Sequence, residues 1–236
     1  MDACNAQLIE IWQAPEGNGG RIRVDHPFDI VPGQYMLVRR ASDLSSLPMV
    51  VFPSSKVDNG LITAASLPID WTPGEQLSLS GPLGHGFRLP ASVRFLGTAV
   101  PDGDPSRLMP LIDAGIRQGA AVSLFLGKLN ERASFFPLPA ALEVQPLSAL
   151  PEALVWADFL AVDISLRSLS SLGGLLGLKG GNQKLPCPGQ VLVRTDMPCA
   201  GIADCGVCAL KTRSGWRLAC KDGPVFDLEE LIDVAG

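Results

Sequence analysis

Met197-Pro-Cys-Ala-Gly-Ile-Ala-Asp-Cys-Gly-Val-Cys208, followed by Leu218-Ala-Cys-Lys-Asp-Gly-Pro-Val-Phe226, gathers four cysteines into the 22 residues from Cys199 to Cys220. The spacing is Cys199-x5-Cys205-x2-Cys208-x11-Cys220. Four thiolates on one compact loop system supply a full coordination set for a zinc ion or an iron–sulfur cluster. Zinc ribbons use two tight Cys-x2-Cys knuckles, and this segment has one, Cys205 to Cys208. The long first gap, Ala200-Gly-Ile-Ala-Asp204, is small and loop-forming. A [2Fe–2S] rhomb needs such a loop, because backbone N–H groups must approach its sulfides, and Gly201 and Gly206 allow that approach. The plant-type spacing has four residues in the first gap where this chain has five, so zinc stays open as the alternative. Cys4 and Cys187 lie apart and read as small free thiols.

The rest of the composition limits what the site can serve. The chain has 236 residues, 47% hydrophobic and 18% charged, with a net charge of −5. That apolar fraction suits a folded protein with sizeable cores rather than a disordered one. The acidic balance argues against a nucleic-acid partner, which requires a basic face. No stretch reads as a membrane span, since Leu150–Leu169 is broken by Glu152, Asp158, Asp163 and Arg167. Met1-Asp-Ala-Cys4 shows no basic region leading into an apolar run, so a reducing cytoplasm is the expected setting, where clustered cysteines hold metal. With two histidines, no Gly-x-Ser-x-Gly and no paired acids in a recognisable frame, hydrolysis has no support.

Working back from the cysteines, the chain divides into three. Residues 1–90 read as an antiparallel β-barrel. Short strands are expected at Gln7–Trp12, Arg21–Val24, Tyr35–Val38, Met49–Phe52, Leu61–Ala65 and Gln76–Leu79, separated by turn residues. Residues 91–184 read as a small α/β domain. It has strands at Val93–Leu96, Val122–Leu126, Leu142–Val144 and Phe159–Ile164, a helix from Pro105 to Gln118 and a leucine-rich helix from Ser165 to about Leu178. Lys179–Lys184 reads as a linker. Residues 185–236 hold the strand Pro188–Arg194, the cysteine segment as a small β domain, and a closing helix at Leu228–Val234. The fold class is thus α+β, multi-domain.

These residues resemble a known family. The cysteine segment, and above all its Cys-x-Asp-Gly-Pro-Val-Phe tail, is similar to the cluster-binding domain of the electron-transfer subunit of dihydroorotate dehydrogenase B. Pro32-Gly-Gln-Tyr-Met-Leu37 resembles that family's Pro-Gly-Gln-aromatic strand. Pro73-Gly-Glu and Gly81-Pro-Leu-Gly-His-Gly-Phe87 resemble its barrel-closing loop. The resemblance implies a ferredoxin-reductase-like architecture with a flavin-binding barrel, a nucleotide-binding α/β domain and a [2Fe–2S] domain. It also implies a place in pyrimidine biosynthesis, with electrons passing between a nicotinamide, FAD, the cluster and a partner flavoprotein dehydrogenase or other redox protein. Cys199, Cys205, Cys208 and Cys220 are the cluster ligands it implies, and Gly81, Gly84 and Tyr35 the residues that would contact FAD.

The departures from the family are specific. Its Arg-Pro-x-Ser stretch, which engages flavin and phosphate, is here Leu47-Pro-Met-Val50; Arg39 and Arg40 are the nearest substitutes. Its Gly-x-Gly-Thr phosphate turn is replaced by Ala64-Ala-Ser-Leu-Pro-Ile-Asp70, which lacks the glycine pair and any basic residue. Gly97-Thr-Ala-Val-Pro-Asp-Gly-Asp104 stands where a dinucleotide-binding glycine turn is expected, and would set Asp102 and Asp104 against phosphate charge. Ala161-Val-Asp-Ile-Ser165 replaces a late Cys-Gly-Pro. The residues therefore argue for degenerate flavin and nicotinamide sites, and against NAD. Two other readings remain: an intact FAD/[2Fe–2S] NADH-dependent oxidoreductase subunit, and a non-catalytic partner-binding module stabilised by zinc. His85 is expected in a solvated turn, His26 to be structural, Tyr35 and Trp12 to pack the barrel, and Trp216 to shield the cluster or pack its hairpin.

Overall fold

The computed structural model describes residues 3–14, 17–25, 29–43, 45–64, 66–127, 138–178 and 185–232. The expected linker Lys179–Lys184, His26 and the end of the closing helix lie outside them.

The N-terminal part is one antiparallel sheet of β1 (Ala3–Ala14), β2 (Gly17–Val24), β3 (Tyr35–Arg40), β4 (Met49–Val51), β5 (Pro53–Val57), β6 (Gly60–Thr63) and β7 (Gln76–Leu83), in the order β4-β3-β7-β1-β2-β6-β5. The two edge strands, β4 and β5, are consecutive in sequence with only Phe52 between them, so the two edges of the sheet come close to one another at that residue. Its inner face holds Leu8, Ile22, Met36, Val38, Val51, Leu61, Leu77 and Leu79, all buried. β5 is absent from the expected strands because Pro53-Ser-Ser-Lys-Val57 lacks an apolar pattern; pairing with β6 makes it a strand.

The second sheet contains β8 (Phe95–Val100), β9 (Ala121–Leu126), β10 (Leu142–Pro146), β11 (Phe159–Ser165), β12 (Gly189–Arg194) and, as an antiparallel edge, β15 (Val225–Asp227). Between the last two come β13 (Ala209–Thr212) and β14 (Gly215–Leu218), an antiparallel hairpin. The sheet order is β10-β9-β8-β11-β12-β15, the first five strands being parallel. Helix α1 (Met109–Arg117) follows a 3₁₀ turn at Pro105–Leu108. Helix α2 (Leu150–Trp156) was not expected from the sequence. Along β11 the residues alternate sides: Phe159 and Ala161 join the core under α1, while Leu160, Val162 and Ile164 join the core that reaches the cysteines. A parallel sheet covered on both faces requires such apolar runs.

Three boundaries differ from the sequence reading. β8 lies at Phe95–Val100, later than Val93–Leu96. The leucine-rich stretch after Ser165 is a 3₁₀ turn, Leu166–Ser171, and a short helix α3 (Leu172–Leu175), because Ser168, Ser170, Ser171, Gly173 and Gly174 hold little helix propensity. The segment from residue 185 also gives β12 and β15 to the α/β sheet, so its cysteine loops are an excursion from that sheet. Helices α4 (Ala219–Asp222) and α5 (Leu228–Ile232) are the last two among the described residues. Among the described residues no helix is long and apolar enough to cross a membrane.

Candidate metal centre

The excursion leaves β12 at Arg194 and returns at β15, and its cysteines sit at points fixed by short-range hydrogen bonds. The N–H of Ala200 donates to Met197 (2.9 Å), that of Ile202 to Cys199 (3.2 Å), and that of Ala219 to the carbonyl of Cys208 (3.0 Å). The last bond draws α4, and with it Cys220, onto Cys208. Their Sγ atoms lie 3.3 Å apart and both residues are buried.

The loop from Cys199 to Cys208 has an unusual backbone. Ala200 (φ 50°), Gly201 (77°), Ala203 (67°) and Gly206 (69°) all take left-handed conformations. For alanine this region is disfavoured by about 1 kcal/mol or more and persists where surrounding structure demands it. Left-handed residues interspersed along a loop turn N–H groups inward and form a concavity for negative charge. The Cys199 thiol occupies such a concavity. Backbone N–H groups of Asp204 and Cys205, joined by that of Ala203 and by the Cys205 side chain, bring its pKa down to about 6. Cys220 behaves oppositely: burial, then the neighbouring Cys208, pushes its thiol up to about 12.

The four thiols therefore stand as two pairs, Cys199 with Cys205 and Cys208 with Cys220. The pairs sense each other, since Cys199 acts electrostatically on Cys220. Among the described residues, no three His, Cys, Asp or Glu side chains are placed to hold a single metal ion. Cys205 is exposed and Cys199 half-buried, so one pair faces outward and the other inward. Three large apolar residues of the excursion are exposed: Ile202 (71%), Val207 (51%) and Trp216 (72%). Trp216 thus stands largely in solvent rather than packing its hairpin. Cys4 and Cys187 lie elsewhere, and burial raises the pKa of each.

The residues read as flavin contacts turn toward the protein. Tyr35 is fully buried; its hydroxyl donates to the carbonyl of Cys220 (3.0 Å), and its ring lies 6.0 Å from that of Phe52. Burial, reinforced by the charges of Cys220, Cys208 and Cys199, pushes its pKa up to about 12. A Cβ on Gly201 would stand 2.7 Å from the Tyr35 hydroxyl, so the cysteine loop closes directly over it. Gly84 (φ 73°) lies against the chain: a Cβ there would meet Pro224 at 2.6 Å and the Gly223 carbonyl at 2.8 Å. At Gly81 it would meet the Met36 sulfur at 2.9 Å. His85 continues this seam, donating its N–H to Gly223 (2.6 Å), with its Nδ1 3.0 Å from the Asp222 carbonyl. The barrel-closing loop and the tail of the cysteine segment are thereby one interface. Removing its central hydrogen bond in Tyr35→Phe is expected to lower stability by about 1–2 kcal/mol in urea unfolding, the Cys220 carbonyl being left buried and unpaired. An unchanged midpoint would show that the bond carries nothing.

Arg40 is taken up by neighbours, donating to Glu75 and Asp70 at 2.8 Å each, with its guanidinium 5.8 Å from the Trp71 ring. In the α/β part Asp104 accepts from the Ser106 N–H (2.8 Å) and caps the 3₁₀ turn, while Asp102 turns toward Ser165, Ser168 and Arg194. Sequence reading missed this last group. Its one signal was Asp163, a carboxylate inside the apolar run Phe159–Ile164. It is fully buried, 2.6 Å from Arg194 Nε and 3.8 Å from Arg107 Nη1.

Comparison with known proteins follows this division. Residues 196–232 match the family described as the iron–sulfur cluster binding domain of dihydroorotate dehydrogenase B. The match covers the cysteine segment, from just before Cys199 to the end of α5. Over 97% of its length the chain is similar to the structure of an NADH-dependent reduced ferredoxin-NADP oxidoreductase studied for flavin-based electron bifurcation, with TM-score 0.74, 14% identity and 92% of that chain covered. It is also similar to the ferredoxin reductase in carbazole 1,9a-dioxygenase (TM-score 0.60, 19% identity, 75% of this chain and 65% of that one). A third likeness is to ferredoxin-NADP+ reductase from Plasmodium falciparum (TM-score 0.56, 10% identity, 77% and 92%). At these identities the likeness is one of fold. No curated protein matches the chain. The chain thus joins a segment similar to that iron–sulfur cluster binding domain to a ferredoxin-reductase-like fold.

Proposed function

We propose that the chain carries a [2Fe–2S] cluster on Cys199, Cys205, Cys208 and Cys220, and transfers electrons to or from a partner flavoprotein dehydrogenase or similar redox protein. The observation that carries this reading is the pairing of the thiols beneath a loop of four left-handed residues. Two irons bridged by sulfides each need two thiolates, whereas one zinc needs all four around a point. The cluster supplies a one-electron carrier when bound. The chain's own residues do the rest. N–H groups of the loop stabilise the outer sulfur, Tyr35 and α4 hold the inner pair away from water, and exposed Ile202 and Val207, on the same loop as the outer cysteine, offer an apolar surface where a partner would approach.

The flavin and nicotinamide sites are read as degenerate. Leu47-Pro-Met-Val50 offers no cation or hydroxyl, Arg40 is committed to Asp70 and Glu75, and Gly81, Gly84 and Tyr35 face protein atoms. The chain is then a divergent electron-transfer subunit with three functional parts, 1–90, 91–184 and 185–236, of which the last retains its cofactor. The test is anaerobic purification followed by absorption and electron paramagnetic resonance spectroscopy, with iron, sulfide and flavin assays. Expected are equal iron and sulfide, a reduced-state paramagnetic signal from dithionite-treated protein, and no flavin released on heating. A colourless protein with stoichiometric zinc would overturn the cluster; stoichiometric flavin would overturn the degenerate barrel.

A further inference from the structure

β9 and β10 lie on one side of β8 in the parallel sheet, and β11 and β12 on the other. Open α/β sheets bind their ligands in the crevice at that reversal, outside the carboxyl ends of the strands, where nucleotide phosphates commonly sit. In this chain the carboxyl ends of β8, β11 and β12 converge on a carboxylate of the chain itself. Asp102 Oδ1 accepts from the Ser165 N–H (3.2 Å) and from Arg194 Nη2 (2.6 Å). Its Oδ2 accepts from the hydroxyls of Ser165 (2.5 Å) and Ser168 (2.8 Å). Arg194 Nη2 also donates to the Asp102 carbonyl. A carboxylate offers about four lone-pair positions, and all are used.

A backbone N–H, two hydroxyls and one guanidinium nitrogen form a donor set of the kind that holds a phosphate group, Arg194 Nε being taken by Asp163. Asp102 arrives there on Pro101-Asp-Gly-Asp104, the turn that leaves β8. The turn is fixed from below: Gly127 donates its N–H to Val100 (3.0 Å), and a Cβ at Gly127 would lie 2.0 Å from the Pro101 carbonyl. Gly103 adopts φ 98°, which allows the chain to reverse immediately after Asp102.

We propose that Asp102 is a built-in anion, occupying a phosphate-type site formed by Ser165, Ser168 and Arg194, and that it excludes nucleotide phosphates from this crevice. The proposal deepens the reading of a lost nicotinamide site and rests on it. It assigns the loss to one carboxylate placed among intact donors, rather than to erosion of the donors.

Chemical rescue tests it on the full-length protein. Asp102→Ala takes the carboxylate from the Ser165, Ser168 and Arg194 donors and is expected to lower the melting temperature. Millimolar inorganic pyrophosphate should then raise that temperature by about 5 °C, because a ligand that binds only the folded chain stabilises it by mass action. Wild type and Asp102→Asn, whose side chains still fill the position, should not respond. If Asp102→Ala is unfolded alone, the same addition should restore its folded circular dichroism. Failure of pyrophosphate to stabilise or refold Asp102→Ala, or an equal shift in all three proteins, overturns the proposal. NADH binding is titrated in parallel: tight binding by wild type overturns the reading of a lost nicotinamide site. A wild type that ignores NADH, with an Asp102→Ala chain that ignores pyrophosphate, overturns the built-in anion alone.

Discussion

Arg194→Met is expected to cost the folded chain about 3–5 kcal/mol, the penalty for stripping the partner from buried charge. Arg194 donates through Nε to Asp163 and through Nη2 to Asp102, at 2.6 Å each, so one guanidinium bridges two carboxylates. Asp163 is fully buried, and its remaining cation, Arg107, is 3.8 Å away. Methionine fills a similar volume without the charge, so the loss is electrostatic. Urea unfolding at neutral pH measures it, and a change below about 0.5 kcal/mol, ordinary for a surface site, would refute the bridge.

The pH dependence has a definite sign. Burial already holds the Asp163 carboxyl above the ordinary range, with Arg107 and Arg194 pulling against it and Asp102 adding to the rise. Without Arg194 its folded pKa rises further, so the folded state takes up a proton at a pH where the unfolded state does not. The deficit of the variant should therefore narrow as pH falls from 7 toward 5. The wild type behaves differently at Asp102. Burial acts to raise that pKa, but hydrogen bonds from Ser165 and Ser168 and the charge of Arg194 hold it below the ordinary value. Its contribution is complete above the unfolded value of about 3.9 and is lost as pH falls through the lower folded value.

Cys208→Ser and Cys220→Ser should each abolish cluster iron and sulfide and the visible absorption. Cys187→Ser and Cys4→Ser should leave all three unchanged. Cys208 and Cys220 are buried with sulfurs 3.3 Å apart, so losing one thiolate removes half of the inner pair and leaves a hydroxyl where a soft donor is required. The loop should also lose protection from proteolysis, because its left-handed alanines, Ala200 and Ala203, persist only while something holds them. Full iron in either inner-pair variant would exclude that cysteine as a ligand. Loss of iron in Cys187→Ser would move the site.

Much of this was legible in the sequence because it depends on local spacing. Cys199-x5-Cys205-x2-Cys208-x11-Cys220 specifies a thiol site whatever the rest of the chain does, and alternating strands such as Arg21–Val24 announce a half-buried sheet. Glycine and serine content is also local, yet it outweighed the leucines after Ser165 and left only a 3₁₀ turn and α3 there. Other features arise from distant pairing. Pro53–Val57 is a strand because β6 pairs with it, and β15 joins β12 although the cysteine loops separate them in sequence.

The proposed cysteine site thus depends on order and spacing along the chain, while the contacts on which the reading of the other two sites rests span long stretches of it. Tyr35 meets the carbonyl of Cys220 across 185 positions, and Arg194 meets Asp102 across 92. A tyrosine in a barrel strand can stack on a flavin or pack, and an aspartate after a β-strand can repel phosphate or replace it. The choice depends on which donors the folded chain brings within hydrogen-bond distance, and no run of neighbouring residues encodes that.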